Sequence, residues 1–414
     1  MKVLWFTNSV MPEVFELSQI KGHGSGPWMA ALLSMLKRST EVEKIVVVTE
    51  TPNLPDMTIE AGKITYEVLH ASKQRFYWQA KKGRVADYIK LIQRHNPDVI
   101  HIHGSEMGYG QICGAPEIAR KTVISLQGIL CLYERKINGG MTLYDRFKAT
   151  ETLDIFRGAG IFGQRRYYRK RAAIEKDIFT KCINYFGRTR WDYAFVKFQN
   201  GKANYYNAGE ILREKFYQNI WNFDGIEKFT VIFTNISGPV KGVESIFEAV
   251  RILSSSYPKI KLKIASRVNP NRGYGKYLVE KARILGIEGN VEFLGYLSEP
   301  QIIENLLRSH VFVSCSYIDN SPNSLGEAQI LGMPCIASYV GGVPSMINDG
   351  TDGLLVPVDE PYSLADAISQ IFENPQTAQN LGAAAARVAR QRHDPDTVLD
   401  QVLMGYKSML AAPT

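Results

Sequence analysis

The stretch VFVSCSYIDNSPNSLGEAQIL, residues 311–331, decides how the chain is read. It opens on an apolar run at 311–314, short enough for a buried strand. Asn320, Ser321 and Pro322 then break the chain and favour a helix start. A helical pattern follows over 324–331. One carboxylate, Asp319, stands after the strand, and a second, Glu327, lies 327 − 319 = 8 positions further on, inside the helix. Working outward, the same alternation recurs: strand 229–234, helix 243–254, strand 261–265, helix 275–285, strand 291–294 and helix 299–309 before it, strands 335–338 and 353–356 after it. Strands alternating with helices predict a doubly wound parallel sheet.

The first half carries a second set of such signals. An apolar run at 3–6 leads into the loop Gly22-His23-Gly24-Ser25-Gly26-Pro27 and a helical pattern over 28–37, with further apolar runs at 45–48, 99–102 and 123–126. A chain of 414 residues exceeds what one core organises, so two domains are expected. The boundaries predicted are 1–217 and 218–395, with a last helix, 396–414, crossing back onto the first domain. The long basic stretch 154–182 is expected as an insertion of the first domain.

Composition excludes several classes. Hydrophobic residues at 45% and charged residues at 22% are ordinary globular values. The five cysteines are scattered and never spaced C-x-x-C, which argues against a disulfide framework or a zinc site and for a reducing cytoplasm. The amino terminus lacks a signal-peptide pattern, and no apolar run approaches the ~20 residues that span a bilayer. Net charge is +8, with five cations and two aromatics packed into 164–171. That run is either a solvated helix face or a surface for an anionic membrane or phosphorylated acceptor. No nucleic-acid motif accompanies it, so nucleic acid is not an expected partner.

The carboxyl ends of open α/β sheets are where ligands bind, and the chemistry-bearing residues cluster there. The first-turn amides of Asn323, Ser324 and Leu325 would be phosphate donors, helped by the helix dipole. Lys241, at the start of helix 243–254, opposes that helix's dipole and calls for an anion. His101 and His103 share one strand face, a metal-site fragment or core histidines, with no convincing third ligand. Gly22, Gly24 and Gly26 permit close backbone approach to a phosphate or sugar, or form a packed turn. Their spacing departs from the dinucleotide fingerprint, which leaves a nicotinamide reading weak.

Residues 319–334, with Glu327-Ala328 and Leu331-Gly332-Met333-Pro334, resemble the acidic, seven-residue, Glu signature of the family 4 retaining glycosyltransferases. Asp98-Val99-Ile100-His101-Ile102-His103-Gly104, Val240-Lys241-Gly242, Gly341-Gly342-Val343-Pro344 and residues 348–356 are similar to that family's further motifs, in order. The resemblance covers nearly all the C-terminal domain and thinly the N-terminal one.

It implies a GT-B fold, two Rossmann-like domains facing across a cleft, with an acceptor-binding first domain and a nucleotide-sugar-binding second. It implies transfer from a nucleotide sugar to a glycan or lipid-linked acceptor with retention, no metal and no cofactor, in bacterial surface polysaccharide assembly, with possible contact to an anionic membrane. By the same resemblance Glu327 would bind the donor ribose, Asp319 the transferred sugar and Lys241 the diphosphate. His103 would bond the donor sugar, Tyr296 would lie where the backbone meets the base, and Gly24 would lie in the loop lining the acceptor side. Two departures stand out: Asp319 replaces the usual Glu, and Ile236 stands where an Arg is common. Arg267, at the next strand end, is the predicted substitute. Arg188 would meet an anionic donor or acceptor group. The alternatives are a non-catalytic nucleotide-sugar-binding protein and an epimerase of the same fold.

Overall fold

The computed structural model describes residues 1–22, 24, 26–71 and 83–411; His23 and Ser25 of the glycine-rich loop lie outside the described residues. The chain forms two compact units, Met1–Cys131 with Arg169–Arg213 and His393–Thr414, and Leu132–Tyr168 with Glu214–Arg392. Residues 132–168 thus group with the second unit. The reason is local bonding: Lys148 pairs with Glu280 at 3.2 Å, and the Gly273 N–H donates to Glu151 at 3.0 Å.

In the first unit the strands are β1 Lys2–Thr7, β2 Lys44–Thr51, β3 Met57–Ala61, β4 Ile64–His70, β5 Val99–His103, β6 Thr122–Ser125, β7 Asn184–Gly187 and β8 Asn204–Asn207. Among the described residues they order as β3-β4-β2-β1-β5-β6-β7-β8. The pairings are parallel except β3 with β4. β1 explains why continuous apolar runs mark such a sheet: Val3 and Trp5 join one hydrophobic cluster while Leu4 and Phe6 join the other, so both faces are dry. The apolar runs correspond to β1, β2, β5 and β6 and leave out β3, β4, β7 and β8; β3 and β8 carry polar residues on part-exposed edges.

The expectation of unpaired cysteines is corrected here. Cys113 and Cys182 form a disulfide, with Cα atoms 5.3 Å apart. Both sit in the same apolar cluster, Cys113 near the end of a 3-10 turn and Cys182 just after the helix Gly160–Lys181. They are 69 residues apart, and no spacing rule joins cysteines at that range. The other three are free and buried.

The last helix, Pro395–Ala411, packs into the first unit's core through Val398, Val402, Leu403 and Tyr406. The Tyr406 hydroxyl accepts from Trp5 Nε1 at 3.2 Å and lies 2.7 Å from His101 Nδ1.

The second unit holds β9 Thr230–Thr234, β10 Lys261–Ala265, β11 Val291–Phe293, β12 Val311–Ser314, β13 Cys335–Ser338 and β14 Leu354–Val356. Among the described residues they form a six-stranded parallel sheet in the order β11-β10-β9-β12-β13-β14. The chain winds from β9 to one side and from β12 to the other. The switch point therefore lies between the carboxyl ends of β9 and β12, where an open sheet parts its loops and accepts a ligand.

Tyr406→Phe leaves the buried Trp5 and His101 nitrogens short of a partner and is expected to cost about 1–3 kcal/mol of stability, read as a lower denaturant midpoint. An unchanged midpoint would mean the hydroxyl contributes nothing to the helix's attachment.

Candidate functional site

The loops leaving β9 and β12 build the centre of the second unit's site. After β9, Pro239–Lys241 forms a 3-10 turn closed by a Gly242 N–H to Pro239 carbonyl bond of 3.0 Å. Gly242 is left-handed, φ 68°, and a Cβ there would lie 2.1 Å from the Cys315 carbonyl oxygen, so only glycine fits. After β12 the Tyr317 N–H donates to the Val240 carbonyl at 2.8 Å, stapling the two loops together. The staple sets Lys241 Nζ 2.6 Å from Asp319 Oδ2.

Asp319 is nearly enclosed, and the rest of its carboxylate is occupied. Ser316 Oγ donates to Oδ2 at 3.2 Å; the Tyr133 hydroxyl and the Asn320 N–H donate to Oδ1 at 3.2 and 3.1 Å. Four donors on two oxygens fill the capacity of a carboxylate.

The helix Asn323–Leu331 starts at Pro322 with no side-chain cap. One expected donor is corrected: the Leu325 N–H bonds the Pro322 carbonyl at 3.0 Å, as does that of Gly326 at 3.2 Å. Proline at the cap position keeps its carbonyl directed at the first turn and consumes these amides. The amides of Asn323 and Ser324 have no partner among the described residues. Glu327 lies in the second turn, on the same helix, and is buried.

Arg267 and Tyr296 follow β10 and β11 in the same sheet. Both are exposed, Tyr296 at 84%. The Ile236 N–H donates to Ser266 Oγ at 2.9 Å, tying the β9 loop to the residue before Arg267. Ile236 holds that junction through its backbone, whatever its side chain.

His103 and Gly24 belong to the first unit. His103 ends β5, stacked on His101 at 4.0 Å and edge-on to Trp5 at 4.2 Å. Burial pulls its imidazole down to about 3, so it is neutral, and its Nε2 has no hydrogen-bond partner. His101 is satisfied by Tyr406 and by Ser125 at 2.6 Å. A Cβ on Gly24 would lie 2.5 Å from Pro12 Cα, so the glycine serves close backbone packing. Arg188 is buried against Glu210 at 3.0 Å and bonds Gln127 at 3.2 Å; its charge is already answered within the unit.

Sequence reasoning missed a second group of carboxyls beyond β5. Glu175, fully buried, accepts from Ser105 Oγ at 2.7 Å and from the Cys131 N–H at 2.8 Å. Glu106 Oε2 has no partner, and burial, helped by Glu175 nearby, pushes its carboxyl up to about 7. Neither has a motif, because Glu106 comes from the loop after β5 and Glu175 from the helix Gly160–Lys181. Among the described residues no three His, Cys, Asp or Glu side chains group to hold a metal ion.

Residues 218–388 match the family model described as glycosyl transferases group 1. The match lies within the second unit. The chain is 29% identical over 151 residues to a D-inositol 3-phosphate glycosyltransferase of Corynebacterium diphtheriae, covering 36% of this chain and 35% of that protein. It is 30% identical over 164 residues to the enzyme of the same description from Streptomyces griseus, covering 38% and 35%. The chain thus spans about a third of the length of these curated relatives. Over its whole length it shares a fold with solved glycosyltransferase structures. Sucrose-phosphate synthase of Thermosynechococcus elongatus superposes with TM-score 0.73 at 16% identity, covering all of both chains. Anabaena HepE in complex with UDP gives 0.68 at 16%, covering 99% of this chain and 100% of the other. WaaG, a glycosyltransferase involved in lipopolysaccharide biosynthesis, gives 0.61 at 14%, covering 99% and 100%. The fold is GT-B, two Rossmann-like sheets with their helices.

Glu106 binds its proton more tightly folded than unfolded, so its contribution to stability is complete below about pH 4.5 and is lost as pH rises through about 7. Glu106→Gln is expected to remove one proton's share of that slope, measured by denaturant titration at each pH. An identical slope in the variant would assign the dependence to other groups.

Proposed function

We propose that the chain is a retaining, metal-independent glycosyltransferase that moves a sugar from a nucleotide sugar to a glycan or lipid-linked acceptor in bacterial surface polysaccharide assembly. The observation carrying this reading is the juxtaposition of Lys241, Asp319 and the Asn323 and Ser324 amides at the switch point of the second unit. A cation and two amides at a helix start are what a diphosphate needs, and the neighbouring folds include one solved with UDP and with UDP-glucose. Glu327 would accept from the nucleotide ribose, and Tyr296 would lie beside the base.

In the reaction the bond from the anomeric carbon to the β-phosphate oxygen breaks and its electron pair leaves with the nucleoside diphosphate. The acceptor oxygen bonds the anomeric carbon on the same face, and its proton passes to the departing phosphate oxygen. Lys241 and the helix amides answer the charge that grows on the leaving group. Arg267 would supply the cation missing at Ile236.

Peripheral docking on an anionic membrane is part of this reading. Leu143, Tyr144, Phe147, Leu153 and Phe156 are all exposed, with Phe156 at 85%, and lie on two short helices close in sequence to exposed Arg157 and Arg166. Apolar side chains among cations fit a headgroup interface. Among the described residues no helix is long and apolar enough to cross a membrane.

Nucleoside diphosphates and their sugars, screened in chelator, are expected to raise the melting temperature by a few degrees at ligand far above its dissociation constant. Lys241→Ala and Glu327→Ala should abolish most of the rise. Binding without acceptor-dependent release of nucleotide would favour a non-catalytic binding protein, and no stabilisation by any nucleotide would sink the assignment. Replacing Leu153 and Phe156 by Ser, with Arg157 and Arg166 by Gln, should reduce co-sedimentation with phosphatidylserine vesicles and leave nucleotide binding intact. Equal sedimentation would make the surface merely solvated.

A further inference from the structure

Asp319 is one methylene shorter than the Glu usual at its position in the resembled family, and its four acceptor directions are taken by Lys241, Ser316, Tyr133 and the Asn320 amide. Three of these donors are built by the switch-point loops. The fourth is not. Tyr133 lies 186 residues away, at the start of the segment 132–168 that joins the second unit.

That segment is seated on the site by a turn without side chains. A Cβ on Gly139 would lie 2.5 Å from the Pro239 carbonyl oxygen, and one on Gly140 would lie 2.2 Å from the Tyr317 hydroxyl and 2.7 Å from Asp359 Oδ2. Pro239 opens the turn that carries Lys241, and Tyr317 is the residue whose amide staples the two loops. The glycine turn therefore rests on the same two loops that hold the ion pair. Asp359 is itself held, accepting from Ser245 Oγ at 3.0 Å, so the seat is firm.

We propose that Tyr133 is a positioning residue for the Lys241–Asp319 pair. Its hydroxyl fixes the Oδ1 edge of Asp319, so that Oδ2 meets Lys241 and the ammonium is aimed as a phosphate cation should be. The Gly139–Gly140 turn keeps the phenol in register. A chain with the shorter carboxylate thus obtains from a distant segment the orientation that a longer side chain would take from its own reach. This rests on the transferase reading for its consequence in turnover, and on the hydrogen bond alone for its consequence in stability.

The test is a double-substitution cycle on the full chain, with Tyr133→Phe, Asp319→Asn and both together. Thermal unfolding is read alongside donor KM and kcat for the nucleotide sugar that stabilises the protein most. Tyr133→Phe is expected to lower kcat about tenfold with donor KM changed less than about twofold, the pattern of lost alignment rather than lost binding. In Asp319→Asn the same change should add little, and the melting shift of the double variant should fall short of the sum of the two single shifts. Gly140→Ala, which lifts the turn, should reproduce the fall in kcat.

Additive melting shifts would mean the hydroxyl and carboxylate do not interact, and would overturn the proposal even in a chain with no turnover. Coupled melting shifts with unchanged kcat would reduce Tyr133 to a structural contact and also overturn it. A wild-type chain that binds nucleotide sugars, shows coupled shifts and releases no nucleotide refutes the transferase reading. In that case a loss of nucleoside diphosphate affinity in Tyr133→Phe, dependent on Lys241, supports the positioning role, and unchanged affinity overturns it.

Discussion

The second unit depends on one enclosed ion pair, Lys241 with Asp319 at 2.6 Å. Both side chains are mostly screened from water, at 17% and 11% exposure, so each charge is favoured by the other and by the loops that present them. The β9 loop can supply Lys241 only because Gly242 turns left-handed against the Cys315 carbonyl. The β12 loop can supply Asp319 only because its backbone is held in turn: the Asp319 carbonyl accepts from the Gly342 N–H at 3.0 Å. The constraint reaches β13, whose following loop contains Gly342. Three consecutive strand ends are thereby organised around two charges.

In the first unit the sheet end is built on neutral groups. His101 and His103 are held uncharged by burial, and Glu106 and Glu175 have their carboxyls raised by it. His101 is fully bonded while His103 Nε2 and Glu106 Oε2 are not, so partnerless polar atoms concentrate at the end of β5. Two cations stand near it, Arg171 on the Glu106 carbonyl at 2.6 Å and Arg188 paired with Glu210 at 3.0 Å.

Much of this was legible along the chain. Apolar runs four to six residues long named most of the strands, since a parallel sheet dry on both faces leaves a continuous signature. β3 and β8, polar and at edges, left none, and β4 and β7, which mix polar with apolar residues, were not named either. The turn formers at 320–322 marked the helix start, and the spacing from Asp319 to Glu327 marked the two carboxylates. The local rule failed where a backbone carbonyl competed: the Leu325 amide was expected to be open, and Pro322 occupies it.

Sequence by itself determined most of the strands and helices, and which side chains stand at their strand ends, because both follow from short-range periodicity and turn chemistry. Tertiary structure alone decided the pairings across long separations: Cys113 with Cys182, Glu175 with Ser105, Arg188 with Glu210 and Tyr133 with Asp319. Such pairings have no period and no spacing, because loop closure costs rise only slowly with length and place little restriction on which distant residues meet. They are set by the packing of elements already formed, and for that reason the partners of Asp319 could be seen only in the folded chain.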